Sequence, residues 1–163
     1  MAERAAIELL LVRHADAGDP TAWTGPEAAR PLSGKGRKQA QRLGRFLREL
    51  RYQPDVLISS PKIRAAETAS IISEVLGIEV HVDDRLAQGF GLSELGGVLR
   101  DREPKQRPIL VGHDPDFSEL VEDLVGAAIP LRKGSLARID LSGEPVAGSG
   151  VLRWLIPPDA LLR

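Results

Sequence analysis

The chain has 163 residues, 42% hydrophobic and 28% charged, which suits a folded domain with a sizeable core and argues against a disordered chain. Its 22 basic residues almost balance 23 acidic ones, so the basic excess of a nucleic-acid binder is missing. It has no cysteine, which removes disulfides, thiolate metal sites and cysteine nucleophiles together.

The first apolar stretch, residues 5–12 with Glu8 inside it, is too short to span a bilayer and lacks the small-residue cleavage site of a signal peptide. The expectation is therefore a cytoplasmic enzyme or binding domain, with no membrane and no nucleic acid as partner. Within that stretch "IELLLV" (7–12) reads as a strand buried on both faces. It ends on Arg13 and His14, in "LLVRHADAGD". Residues 17–31 form the longest loop, with Trp23 either at a pocket rim or packed on the domain.

Residues 34–50 carry Leu43, Phe46, Leu47 and Leu50 at helical spacing, with Ser33 placed to cap them. "DVLIS" (55–59) is a second buried strand. Residues 62–76 are helical and stop at Gly77. "IEVHV" (78–82) alternates like a strand near an edge, and residues 92–100 are a third helix. "PILVG" (108–112) is another buried strand, followed by a helix over 116–125 that Asp116 is placed to cap. Two alternating segments, 135–141 and 151–156, flank the turn-rich "SGEPVAGSG" and predict an antiparallel pair. With neither repeat nor linker, residues 1–163 read as a single α/β domain with a mostly parallel sheet.

Ligands of such sheets collect beyond the carboxyl ends of the strands. Arg13 and His14 follow the first strand, Ser59, Ser60 and Pro61 the second, and Gly112 and His113 the one ending at Val111. Arg64 lies one turn into the helix opened by Pro61. Taken singly, each of these would be a surface or loop-shaping residue. Together they place two arginines and two histidines on one rim, where they repel each other unless an anion sits among them. A phosphoryl group fits. Guanidinium forks match its oxygens, the amino end of the helix near Lys62 adds free N–H groups, and a neutral imidazole can attack phosphorus in line. The arginines supply the positive charge, so no metal and no cofactor is expected.

"LVRHADA", "RPLSGKGRKQA", "SSPKIRAAETA" and "VGHDPDF" occur in order and resemble the signature segments of the histidine phosphatase superfamily, in particular its small SixA-type phosphohistidine phosphatases. The resemblance implies a three-layer αβα sandwich of the phosphoglycerate mutase-like kind. It implies His14 as the nucleophile, Arg13 and Arg64 as clamps on the phosphoryl oxygens, and His113 as a further donor to them. The implied substrate is phosphohistidine on a protein, or alternatively a small phosphate ester. A non-catalytic phosphate-binding module is a further alternative, opposed by the retention of His14.

The chain departs from the family pattern at two places. Ala15 stands where a glycine is usual. Gln88, in "DRLAQGFG", stands where esterase relatives carry a glutamate that acts as general acid; Glu94, Asp16, Asp19 and Asp114 are possible substitutes. Long insertions that would cap the pocket are missing, which favours a phosphorylated side chain over a sugar phosphate. "SGKGRKQ" lacks the spacing of a phosphate loop. His14, His81 and His113 do not complete a metal-ligand pattern, and His81 is expected at the surface.

Overall fold

The computed structural model describes residues 7–102 and 106–161, so Ala5 and Ala6 of the first apolar stretch lie outside the described residues. Strand β1 (Ile7–Arg13) leads through the long loop to α1 (Gly34–Glu49), β2 (Val56–Ser59), α2 (Ile63–Leu76) and β3 (Val80–Val82). Then come α3 (Leu92–Asp101), β4 (Pro108–Gly112), α4 (Asp116–Val125), β5 (Leu136–Leu141) and β6 (Gly150–Ile156). The sheet order is β3-β2-β4-β1-β5-β6. The first four of these are parallel, and β5 and β6 close the sheet as an antiparallel pair.

Period-two alternation divides the central strands between two cores. Leu9, Leu11, Ile58 and Leu110 face one side, where Leu95, Val98, Phe117, Leu120 and Leu124 of α3 and α4 cover them. Leu10, Val12, Leu57, Ile109 and Val111 face the other, under Leu43 and Leu47 of α1 and Ala65, Ala69 and Ile72 of α2. The result is the three-layer αβα sandwich with a mostly parallel sheet. Because residues 9–12 of β1 and all of β4 are buried, their sequences read as continuous apolar runs rather than alternating ones.

The expected elements are all present, with ends displaced by up to two residues. The capping expectations hold at Ser33, whose Oγ accepts from Gly36 N at 3.0 Å, and at Gly77, which is left-handed at φ 69°. They fail at Asp116. The first turn of α4 is held instead by Asp114, whose carboxylate accepts from Ser118 N at 3.1 Å, while Asp116 accepts from Phe90 N. His81, on the edge strand β3, is half-buried rather than exposed. Two glycines allow close approaches. A Cβ on Gly36 would lie 1.9 Å from the Asp16 carbonyl oxygen, and one on Gly112 would lie 2.6 Å from the Phe117 ring. Without them neither α1 nor α4 could pack against the strand ends.

Candidate active site

Register carries three strand ends to one edge. Arg13 is paired with Gly112, and Ser59 with Val111. The pairing continues past the strands, with His14 N donating to Gly112 O at 2.9 Å and Ser60 N to Val111 O at 3.0 Å. His14, Ser60 and His113 thus hang from neighbouring backbones that are fixed by hydrogen bonds. Ala15 is completely buried with Leu32 and Ala40, and its N–H donates to Thr68 Oγ1, which in turn donates to the Arg64 carbonyl. One threonine therefore ties the segment after β1 to the first turn of α2. Ala15 is not in the left-handed region, so its Cβ brings no strain there.

The two imidazoles lie with ring centroids 5.2 Å apart. His14 Nδ1 donates to its neighbour's carbonyl, Ala15 O, at 2.8 Å, which leaves the Nε2 lone pair uncommitted. His113 Nε2 meets Ser60 Oγ at 2.7 Å. That hydroxyl accepts from Lys62 N at 3.2 Å, and when its own proton is directed at Nε2 the imidazole proton sits on Nδ1. Burial depresses both rings. His14 is lowered to about 4, first by burial, with Arg64, Arg13 and Lys133 adding to the effect and the bond to Ala15 opposing it. His113 is lowered to about 3 by burial, then by His14, Arg64, Lys62 and Arg13. Both are neutral at pH 7.

Arg64 is 6% exposed, and Arg13 sits at the mouth of the site. Arg13 Nη1 donates to Leu131 O and lies 3.5 Å from Asp114 Oδ2. Arg64 Nη1 donates to Glu27 O, and its Nη2 pairs with the Glu27 carboxylate at 3.1 Å. Each arginine touches one carboxylate, and the histidines escape repulsion by being neutral. Even so, Arg13 Nε, Arg64 Nε and His113 Nδ1 are buried with no hydrogen-bond partner among the described residues. Buried donors of this kind are costly unless something accepts from them.

The four residues singled out in the sequence therefore converge. The candidate acids divide. Glu94 accepts from Gly91 N, Asp19 caps a short 3₁₀ turn at Pro20–Ala22, and Asp16 is bound to Ser33. Asp114 alone of that set touches the arginines. Gln88 is exposed, in a segment held between Asp83, whose N–H donates to Ser59 O, and Phe90, whose N–H donates to Asp116. Those anchors keep it on the same rim.

Sequence reasoning missed Glu27, Arg30 and Thr68. Glu27 and Arg30 belong to the long loop, where Arg30 is 6% exposed, donates to Ala17 O at 2.9 Å and pairs with Glu27 at 3.1 Å. A charged residue beside a proline in a loop carries no signal of burial. Trp23 stays within that loop, donating from its ring nitrogen to Pro26 O.

The chain resembles known proteins in sequence and in fold. Residues 9–114 match the family model described as Histidine phosphatase superfamily (branch 1). An uncharacterized protein of Picosynechococcus sp. is 31% identical over 119 residues, which cover 71% of this chain and 72% of that one. Among solved structures, the protein histidine phosphatase SixA complexed with tungstate superposes with a TM-score of 0.83 at 20% identity, covering 95% of this chain and 99% of that one. A putative alpha-ribazole-5'-P phosphatase from Escherichia coli superposes with a TM-score of 0.75 at 19% identity, covering 94% and 98%.

Proposed function

The chain belongs to the histidine phosphatase superfamily, and on that premise we propose that it removes phosphoryl groups from phosphohistidine on proteins through a transient phosphate on His14. The observation that carries the reading is the fixed His14 ring. Its Nδ1–H is committed to Ala15 O, so the unprotonated Nε2 faces a site whose arginines and second histidine hold unpartnered buried donors.

In the first step Nε2 of His14 attacks phosphorus in line. The P–N bond to the substrate imidazole breaks, and the departing ring takes up a proton from solvent. Arg13, Arg64 and His113 Nδ1–H hold the three equatorial oxygens, where negative charge is spread in the transition state. In the second step water attacks the phosphorus, the bond to Nε2 breaks, inorganic phosphate leaves, and the water returns the proton used earlier. His14 is neutral down to about pH 4, so the nucleophile needs no base to deprotonate it. The charge the step requires is already present as guanidinium, so chelators should leave the rate unchanged. We place this activity in the cytoplasm.

Bond type separates this reading from a small-ester phosphatase. An alkoxide leaves badly unless protonated, and Gln88 cannot protonate it. An imidazole, with an ordinary pKa of about 6.5, leaves readily near neutrality. A phosphohistidine peptide should therefore exceed alkyl phosphates in kcat/KM by at least about a hundredfold, equivalent to roughly 2.7 kcal/mol in barrier. Gln88→Glu should raise alkyl ester turnover more than phosphohistidine turnover. One observation favours the second reading: Asp114 lies 3.5 Å from Arg13 beside the site, where it could serve as an acid. Equal or better turnover of sugar phosphates would establish that alternative and overturn the first.

A further inference from the structure

Beside the phosphoryl site, sharing Arg13 with it, lies an open hollow of about 430 Å³ walled by Lys35, Arg42, Arg132 and Lys133. A second hollow of about 290 Å³ continues it past Arg42 to Arg45 and Leu161. Three carboxylates also line this groove. Asp16 pairs with Lys133 at 3.8 Å and Asp159 with Arg132 at 3.6 Å, both loose, and Glu49 closes the far end. Lys35, Arg42 and Arg45 make no ion pair within 4 Å among the described residues. The helix face that supplies the wall is regular, because Lys35, Gln39, Arg42 and Phe46 recur at spacings of four and three. Polarity is concentrated here. α1 carries six basic residues and one acidic, whereas α4, in the opposite layer, carries four acidic and no basic ones. A chain of net charge −1 has thus placed three cations without an ion pair, Lys35, Arg42 and Arg45, along one groove beside its phosphoryl site.

We infer that this groove binds an acidic polypeptide segment flanking the phosphorylated side chain of the substrate. The inference rests on the phosphoprotein reading above and names the kind of protein it acts on. Length decides against a small second anion. Lys35 to Arg45 is ten residues of helix, or about 15 Å, which an extended peptide spans with roughly five residues. A phosphate ester of metabolite size would reach one or two of these cations and leave the rest solvated. Position decides against a solvated surface with no role. The groove opens on Arg13, and the Lys133 charge is felt at His14. Substrate held in the groove would therefore have its phosphorylated residue at the mouth of the phosphoryl site. Spread charge of this kind steers encounter and selects partners more than it deepens affinity.

The test uses a fluorescein-labelled, unphosphorylated peptide of about ten residues rich in Asp and Glu, with its Gln/Asn counterpart as control. At low salt the acidic peptide should bind and its counterpart should not. Arg42→Glu should weaken binding by at least about tenfold, whereas the charge-matched Arg100→Glu, on the exposed surface of α3, should change it by less than about twofold. Aryl phosphate turnover by each variant reports that it is folded, and Arg42→Gln serves as the milder change if Arg42→Glu is not. Equal losses in Arg42→Glu and Arg100→Glu would overturn the inference, because the attraction would then be diffuse. So would binding that is absent, or that resists salt, or self-association of the chain that Arg42→Glu abolishes, since a second copy would then be the occupant. Peptide binding without phosphohistidine turnover would leave the groove standing and sink the proposed function. Phosphohistidine turnover with no preference for acidic peptides would do the reverse.

Discussion

The strand-end wall and the loop over residues 17–31 contribute to the same site by opposite means. On the wall, His14 and His113 are each 5% exposed, and their backbones are locked by bonds that extend the sheet pairing. On the loop, Glu27 is mostly exposed and reaches Arg64 through one ion pair and one backbone carbonyl. The wall can hold a ring to a fraction of an ångström, because moving it means breaking sheet pairing. The loop can supply charge but not that precision. Groups that form or break bonds are accordingly expected on the wall, and groups that adjust charge on the loop.

After the nucleophile itself, the largest effect should come from the buried anion donors, His113 on the wall and Arg64 on α2. Arg64→Ala and His113→Ala should each lower kcat by at least about a hundredfold, as loss of a preorganised donor does. Near-normal steady-state rates in either variant would remove that residue from the site. Next comes the tie beneath the wall. Thr68→Val leaves the buried Ala15 N–H without its acceptor, which should cost about 1–3 kcal/mol of stability in chemical denaturation and lower kcat rather than raise KM. An unchanged denaturation midpoint would mean that the threonine is not what fixes the turn.

The pH response sharpens the contrast further. With His14 held at about 4 and His113 at about 3, the unfolded chain binds protons below pH 6.5 that the folded chain refuses. Stability from these groups is complete above about pH 6.5 and is lost as pH falls toward 4. Melting temperature should fall across that window, and fall less in a His14→Asn, His113→Asn double variant. NMR titration of the two rings should show no protonation above pH 5 or so; a transition near 6.5 would show that the wall does not exclude water. The smallest effect belongs to the loop. Glu27→Gln should change kcat/KM by less than about fivefold, since exposed ion pairs contribute little. A loss matching that of Arg64→Ala would erase the distinction between wall and loop.

What the sequence revealed follows the same division. Buried strands announce themselves as apolar runs, and residues immediately after three parallel strands must share an edge. Arg13, His14 and His113 were legible for that reason, and Arg64 because a helix follows at once. Glu27 and Arg30 were not, because a loop's path depends on tertiary contacts that leave no period in the sequence. Asp116 misled for a related reason. Asp114 and Asp116 both stand at the start of α4, and only the geometry shows that Asp114 takes the Ser118 N–H while Asp116 reaches across to Phe90. The groove along α1 was visible as basic residues on a helix but not as a groove, since its far wall comes from Pro158, Asp159 and Leu161, more than a hundred residues later.

The central claim is that His14 carries the phosphoryl group. Incubation with a radiolabelled phosphohistidine peptide, quenched in alkali where phosphohistidine survives, should trap label on the protein, and proteolysis should locate it on His14. The label should appear within the first turnover and be absent from His14→Ala, which should also lose at least about a thousandfold in turnover. Label on another residue, or full turnover by His14→Ala, would contradict the account.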